Sequence, residues 1–183
     1  CMIQSWISEI NFTQEFCFKK CNIKVLENSV ETLSINGETI QITGVYDLFG
    51  YRYGSFEPNL EAVKKSIIQN VPTIFLVHQP KFIKEFKELD FYPTLTLSGH
   101  THGGQIFPFG ILVRLEQPYL KGLHKLKERS FIYVNSGSGF WGPPMRVGSS
   151  SEISAIEFSW ERLFFLPNLR YFFCVLRYYF FLR

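Results

Sequence analysis

The stretch Leu97-Ser98-Gly99-His100-Thr101-His102-Gly103-Gly104-Gln105 decides how the rest of the chain is read. Two histidines two residues apart, on an extended or tightly turning backbone, project to the same side of the chain. Neutral imidazole is the commonest protein ligand for transition metals. The flanking glycines permit positive φ and leave room for a ligand close to the main chain. Residues 94–97 (Thr-Leu-Thr-Leu) are rich in strand formers,. The pair therefore falls just past a strand end, where open α/β sheets place their sites. A bare His-x-His also fits two histidines in a glycine-rich loop, so the neighbouring sequence has to decide.

At 183 residues and 46% hydrophobic residues, the chain suits one globular domain,. A net charge of +3 is too mild to argue for a nucleic-acid partner,. The one basic run, residues 121–129, reads as a solvated loop, with a phosphate- or lipid-headgroup patch as the alternative; His124 within it reads as a surface residue. Cys1, Cys17, Cys21 and Cys174 form no zinc or redox pattern and read as free thiols in a reducing compartment,. No signal peptide is visible.

Working outward, residues 3–18 carry a loosely helical pattern, and residues 23–26 read as a short strand,. Alternating runs at 30–35 and 38–45 flank Asn36-Gly37, the strongest short-range hairpin signal, with Leu33, Ile35, Ile40 and Ile42 expected in the core. Asp47 follows the hairpin and reads as a turn or helix-capping residue. Pro58 opens a helix expected to run to Asn70, with Leu60, Val63 and Ile67 inward. Residues 73–77 form a buried strand ending at His78. Residues 81–89 form an amphipathic helix with Phe82, Ile83, Phe86 and Leu89 inward, and residues 92–98 return as the strand that feeds the histidine pair. Beyond it, residues 111–113 and 131–134 look like strands, and residues 152–158 alternate as a closing strand. Arg146 is the sole charge in the glycine- and proline-rich closing loop; an ion pair and a phosphate contact are equally open for it.

The opening stretch closely resembles the Gly-His-x-His motif of the calcineurin-like metallophosphoesterases, and its Gly-Gly-Gln extension is similar to a bacterial, often membrane-associated branch. Leu76-Val77-His78-Gln79-Pro80 matches the family's single histidine after a buried strand. Residues 133–148 are similar to the segment with which that branch closes its domain, so the resemblance covers about residues 23–158. It implies an α/β fold, a partial metallophosphoesterase sandwich of two mixed β-sheets flanked by helices, with the N-terminal half missing. It also implies a hydrolase of phosphoesters or pyrophosphates using two divalent ions (Mn, Fe or Zn), with His78 and His100 on one ion and His102 on the other. The family's Asp-x-His, Gly-Asp-x-x-Asp/Asn and Gly-Asn-His motifs precede the matched part and are not found here. Together with the start at Cys1, this leads us to expect a fragment inactive on its own. The implied substrate is a phosphorylated small molecule or lipid, with Arg146 as a substrate contact.

Residues 1–158 thus read as the C-terminal part of the catalytic domain. Residues 159–183 form an aromatic and arginine-rich tail, either interfacial on a membrane surface or disordered. Pro167, Arg170 and Arg177 keep any apolar run there far short of the ~20 residues a membrane-spanning helix requires,. Membrane-associated and cytoplasmic locations both fit. The competing reading is non-enzymatic: a gene remnant, or a module that associates with membranes through the tail.

Overall fold

The computed structural model describes residues 18, 20–54, 56–162 and 170–179, the last stretch and residues 159–162 as backbone only. The helical pattern expected at residues 3–18 lies almost wholly outside them. Six strands form one sheet in the order β1-β2-β3-β4-β6-β5: β1 (Ser29–Ile35), β2 (Glu38–Gly44), β3 (Thr73–Leu76), β4 (Leu95–Ser98), β5 (Gly122–Lys127) and β6 (Ser130–Val134). The four central strands, β2, β3, β4 and β6, run parallel, and antiparallel β1 and β5 close the two edges. A second, two-stranded antiparallel sheet pairs β7 (Ile153–Arg162) with β8 (Arg170–Tyr179). The result is a mixed α/β architecture with a six-stranded mixed sheet and flanking helices.

The first hairpin turns at Asn36-Gly37, whose φ values of 54° and 80° are those the tight turn demands,. On the helix-covered face of the sheet, Val45, Phe75, Val77, Ile132 and Val134 pack against Leu60 and Val63 of α2 (Leu60–Ser66) and Ile83 and Phe86 of α3 (Ile83–Glu88). A one-turn helix, α1 (Gly50–Tyr53), and a 3-10 turn, Pro80–Phe82, precede these two respectively. Phe75 is fully buried and touches three rings: Phe86 edge-on at 4.9 Å between centroids, Phe82 at 5.9 Å and Phe91 at 6.2 Å. Aromatic pairs at such spacings add to the burial of their area.

Several expectations need correction. Residues 23–26 are not a strand: left-handed turns at Asn22 and Asn28 bracket them, and Ile23 and Val25 lie exposed. Ile40 is buried as expected, Leu33 and Ile42 are half-buried, and Ile35 is 56% exposed beside the turn. The other face of β2 is the better covered, because helices lie on it, and it buries Gln41 and Thr43 completely. Gln41 also ends α2 early. Its side-chain amide exchanges two hydrogen bonds with the Ile68 main chain (3.0 and 2.8 Å), so the helix stops at Ser66 instead of Asn70. At its start, the Asn59 side chain caps the Ala62 N–H at 2.9 Å,.

Residues 111–113 belong to a helix, α4 (Gly110–Glu116), since so short an apolar run has no periodicity to separate the two states,. The basic run expected as a loop contains edge strand β5, whose Lys125 and Lys127 point outward. Lysines on an edge discourage further strand addition. Strand β7 runs past Phe158, where the tail was expected to begin, and residues 170–179 of the tail pair with it as β8. Among the described residues no helix is long and apolar enough to cross a membrane.

Replacing Phe75 by Ala removes the centre of the ring cluster and is expected to cost about 3–5 kcal/mol in urea unfolding, with Phe91→Ala, at the half-buried margin, costing clearly less,.

Candidate metal centre

The parallel pairing carries the ends of β2, β3, β4 and β6 to one edge of the sheet, where ligands of open α/β sheets bind,. Asp47 follows β2, His78 follows β3, the Gly99–His102 turn follows β4, and Asn135-Ser136 follow β6. Main-chain bonds lock these ends together. The Gly99 N–H and the Ser98 hydroxyl donate to the His78 carbonyl at 3.1 and 2.9 Å, and the Asn135 N–H donates to the Ser98 carbonyl at 2.8 Å.

The two sequence motifs meet directly. His78 Nε2 and His100 Nδ1 lie 3.0 Å apart, with ring centroids 4.7 Å apart. One of the two nitrogens must carry a proton for this to be a hydrogen bond. Buried His78 Nδ1 and His102 Nδ1 have no hydrogen-bond partner, and neither has Asp47 Oδ2. Such orphaned buried polar atoms are uncommon and call for an explanation. Two imidazole nitrogens and a carboxylate oxygen are the donor chemistry of a first-row divalent metal. Among the described residues, however, no three His, Cys, Asp or Glu side chains converge closely enough to hold an ion. The residues present fit part of a metal centre, not a complete one.

Sequence reasoning undervalued Asp47. Its Oδ1 does serve a turn, accepting the Phe49 N–H at 2.8 Å. The same oxygen accepts from Gln79 Nε2 at 2.8 Å, and Gln79 Oε1 accepts from Gln117 Nε2 at 3.3 Å. Gln117 in turn accepts the Lys81 N–H at 3.0 Å. All three side chains are buried. Gln79 and Gln117 were missed altogether; a glutamine beside a candidate ligand was the only local signal.

The turn that carries the histidine pair is tightly wound. His100, His102 and Gln105 all hold left-handed φ (68°, 50° and 35°), as do Gly103 and Gly104. Thr101 anchors it, its hydroxyl donating to the Leu120 carbonyl at 2.6 Å. Arg146 clamps it from the closing loop. Its Nη1 donates to the carbonyls of His102 (3.0 Å) and Ser150 (3.2 Å). Its Nη2 reaches those of Ser136 (2.8 Å), Gly137 (3.1 Å) and Gly139 (2.5 Å), and Nε also reaches Gly139 (3.1 Å). Every partner is a main-chain carbonyl, and Arg146 makes no salt bridge among the described residues.

Electrostatics favour neutral rings. Burial, with the His78 ring opposite, lowers His100 from 6.5 to about 4. Burial lowers His78 as well, against the pull of Asp47, while burial and then the Arg146 charge lower His102. Three unprotonated imidazoles near neutral pH are ready to donate to a metal. His124 stands apart, stacked on Tyr119 at 4.4 Å.

No family model matches the chain, and no solved structure does. Known protein sequences do. An uncharacterized metallophosphoesterase of Helicobacter pylori is 45% identical over 136 residues, covering 74% of this chain and 35% of that protein. One of Campylobacter jejuni is 43% identical over 144 residues, 79% of this chain and 37% of that protein. A bovine protein named as a transmembrane protein with a metallophosphoesterase domain is 34% identical over 143 residues, 74% of this chain and 32% of its own length. The chain spans about a third of the length of these relatives. With the two histidine motifs meeting at the carboxyl edge of a parallel sheet, this similarity over most of its length makes the chain a member of the calcineurin-like metallophosphoesterase family.

Proposed function

We propose that this chain supplies part of the metal centre of a metal-dependent phosphoester or pyrophosphate hydrolase. The observation that carries the reading is the meeting of His78 and His100 at 3.0 Å, with unpartnered buried donors on His78, His102 and Asp47. His78 and His100 would hold one divalent ion and His102 a second, with the Asp47 carboxylate, whose charge acts on both His78 and His100, as a further candidate donor. When bound, Mn, Fe or Zn ions supply charge to the phosphoryl oxygens and acidify the attacking water. The protein's own contribution is positional. Gln79 orients Asp47, and the His78 carbonyl fixes the Gly99 turn. Arg146 holds His102 through its carbonyl and adds positive charge beside the place a phosphoryl group would take.

The remaining ligands are then furnished by sequence outside this chain, and the chain alone turns over little or nothing. Its substrate is a phosphorylated small molecule or lipid, reached in the cytoplasm or at a membrane surface, with no nucleic acid involved. A non-enzymatic remnant or membrane module is the reading that failed metal binding would leave standing.

In calorimetry with manganese, the chain is expected to bind weakly, and the double substitution His100→Ala, His102→Ala to abolish binding. Equal binding by the double variant would overturn the assignment. Hydrolysis of bis(p-nitrophenyl) phosphate is expected no higher for the chain than for the double variant. Clear activity above it would mean that the chain completes its own centre. Gln79→Ala, which frees Asp47, is expected to weaken manganese binding by about 10-fold,.

The same rings set a pH dependence. Their folded values lie below the ordinary 6.5 of the unfolded chain, so the unfolded state binds protons first as the solution is acidified,. Stability, measured as the melting temperature with a chelator present, is therefore expected to be highest above pH 6.5 and to fall toward pH 4, where His100 itself titrates. Substituting His100→Gln is expected to flatten that slope; a melting temperature equally steep in the variant would contradict the assignment of the slope to His100.

A further inference from the structure

Helix α4 leaves an apolar surface open. Ile111 and Leu115 are 60 and 82% exposed, Phe107 just before the helix is 72% exposed, and no residue of α4 is buried. A seven-residue helix with no buried side chain gains little from its own packing. What it does is wall a groove of about 270 Å³. Phe107, Ile111, Leu120 and Val147 line the groove, Gly104 floors it, and Arg114 is its cation. A Cβ on Gly104 would stand 2.8 Å from the Gly110 Cα, so glycine at this position is what lets the histidine turn and the start of α4 approach so closely.

The groove and the histidine cluster share a wall. Gly103 and Gly104 follow His102 directly and line the groove, and so does Ser149, whose hydroxyl donates to the His102 carbonyl at 3.2 Å. Arg114 is exposed and has no ion-pair partner among the described residues. Concave apolar walls with one convergent charge suit part of a small amphiphilic ligand. A nucleobase would need hydrogen-bonding side chains along its edges, and these walls are hydrocarbon apart from Arg114 and the Ser149 hydroxyl, which already donates to His102. A flat membrane would meet the ridge of α4, not the concavity behind it.

We propose that this groove receives the apolar chain of an amphiphilic phosphoester whose phosphoryl group lies at the histidine cluster, with Arg114 as countercharge. The proposal rests on the metal-dependent phosphoester reading above and narrows its substrate class. The test is calorimetric titration of the chain with dodecyl phosphate, below its micellar concentration, and with inorganic phosphate, both with manganese present. Dodecyl phosphate is expected to bind at least roughly 30-fold more tightly, the equivalent of burying only a few methylenes. Ile111→Asp is expected to remove most of that difference. Leu112→Asp, equally exposed on the same helix but outside the groove, is expected to preserve it.

If inorganic phosphate binds with manganese but dodecyl phosphate binds no better, the groove proposal falls and the phosphoester reading survives. If neither binds, and manganese itself does not, both fall together. Equal losses in the two aspartate variants would mean adsorption to the helix surface and would overturn the groove. So would binding to phosphatidate vesicles without binding to monomeric dodecyl phosphate.

Discussion

The parallel pairing of β2, β3, β4 and β6 is the constraint from which the rest follows. Parallel strands end on the same side, so each of the four delivers its next residues to one edge. Asp47, His78, the His100 turn and Asn135 are far apart in sequence and become neighbours only through that register. Both faces of such a sheet must be covered, and α2 and α3 cover one of them, with Phe75 as the contact between sheet and helix,. The interior thus fixes strand positions to within side-chain packing tolerances, and the edge inherits that precision.

At the edge, hydrogen bonding takes over from packing. The His78 carbonyl accepts two donors, Asp47 Oδ1 accepts two, and Arg146 serves five carbonyls from three segments. These groups are buried or nearly so, where an unmet polar group costs more than a met one gains. It is telling which atoms are left over. The positioning atoms are satisfied, while three of the four unpartnered buried side-chain atoms among the described residues, His78 Nδ1, His102 Nδ1 and Asp47 Oδ2, are able to hold a metal; the fourth is the Thr96 hydroxyl within β4.

Much of this was legible in the sequence. Asn36-Gly37 announced the hairpin, the apolar runs at 73–77 and 92–98 announced β3 and β4, and the inward stripe of Phe82, Ile83 and Phe86 was correct. His78, His100 and His102 were identifiable as motif positions. Asp47 was not, because one aspartate after one strand carries no sign of the strand that will pair beside it. Gln79 and Gln117 were invisible for the same reason: they touch across 38 residues. Helix α4 was misread because none of its residues is buried among the described residues, so its apolar positions follow no inward face. Gln41 truncated a helix whose own sequence would have continued, a tertiary contact overriding local preference.

The left-handed turn at His100 and His102 sets the fold and the site at odds. A residue with a Cβ held at such φ costs of order 1 kcal/mol or more relative to glycine, and two histidines carry that cost here,. Random substitution under pressure for stability alone would therefore drift toward glycine or asparagine at these positions and erase the imidazoles. The imidazoles at this turn are held against a strain that glycine or asparagine would relieve but without supplying a metal donor.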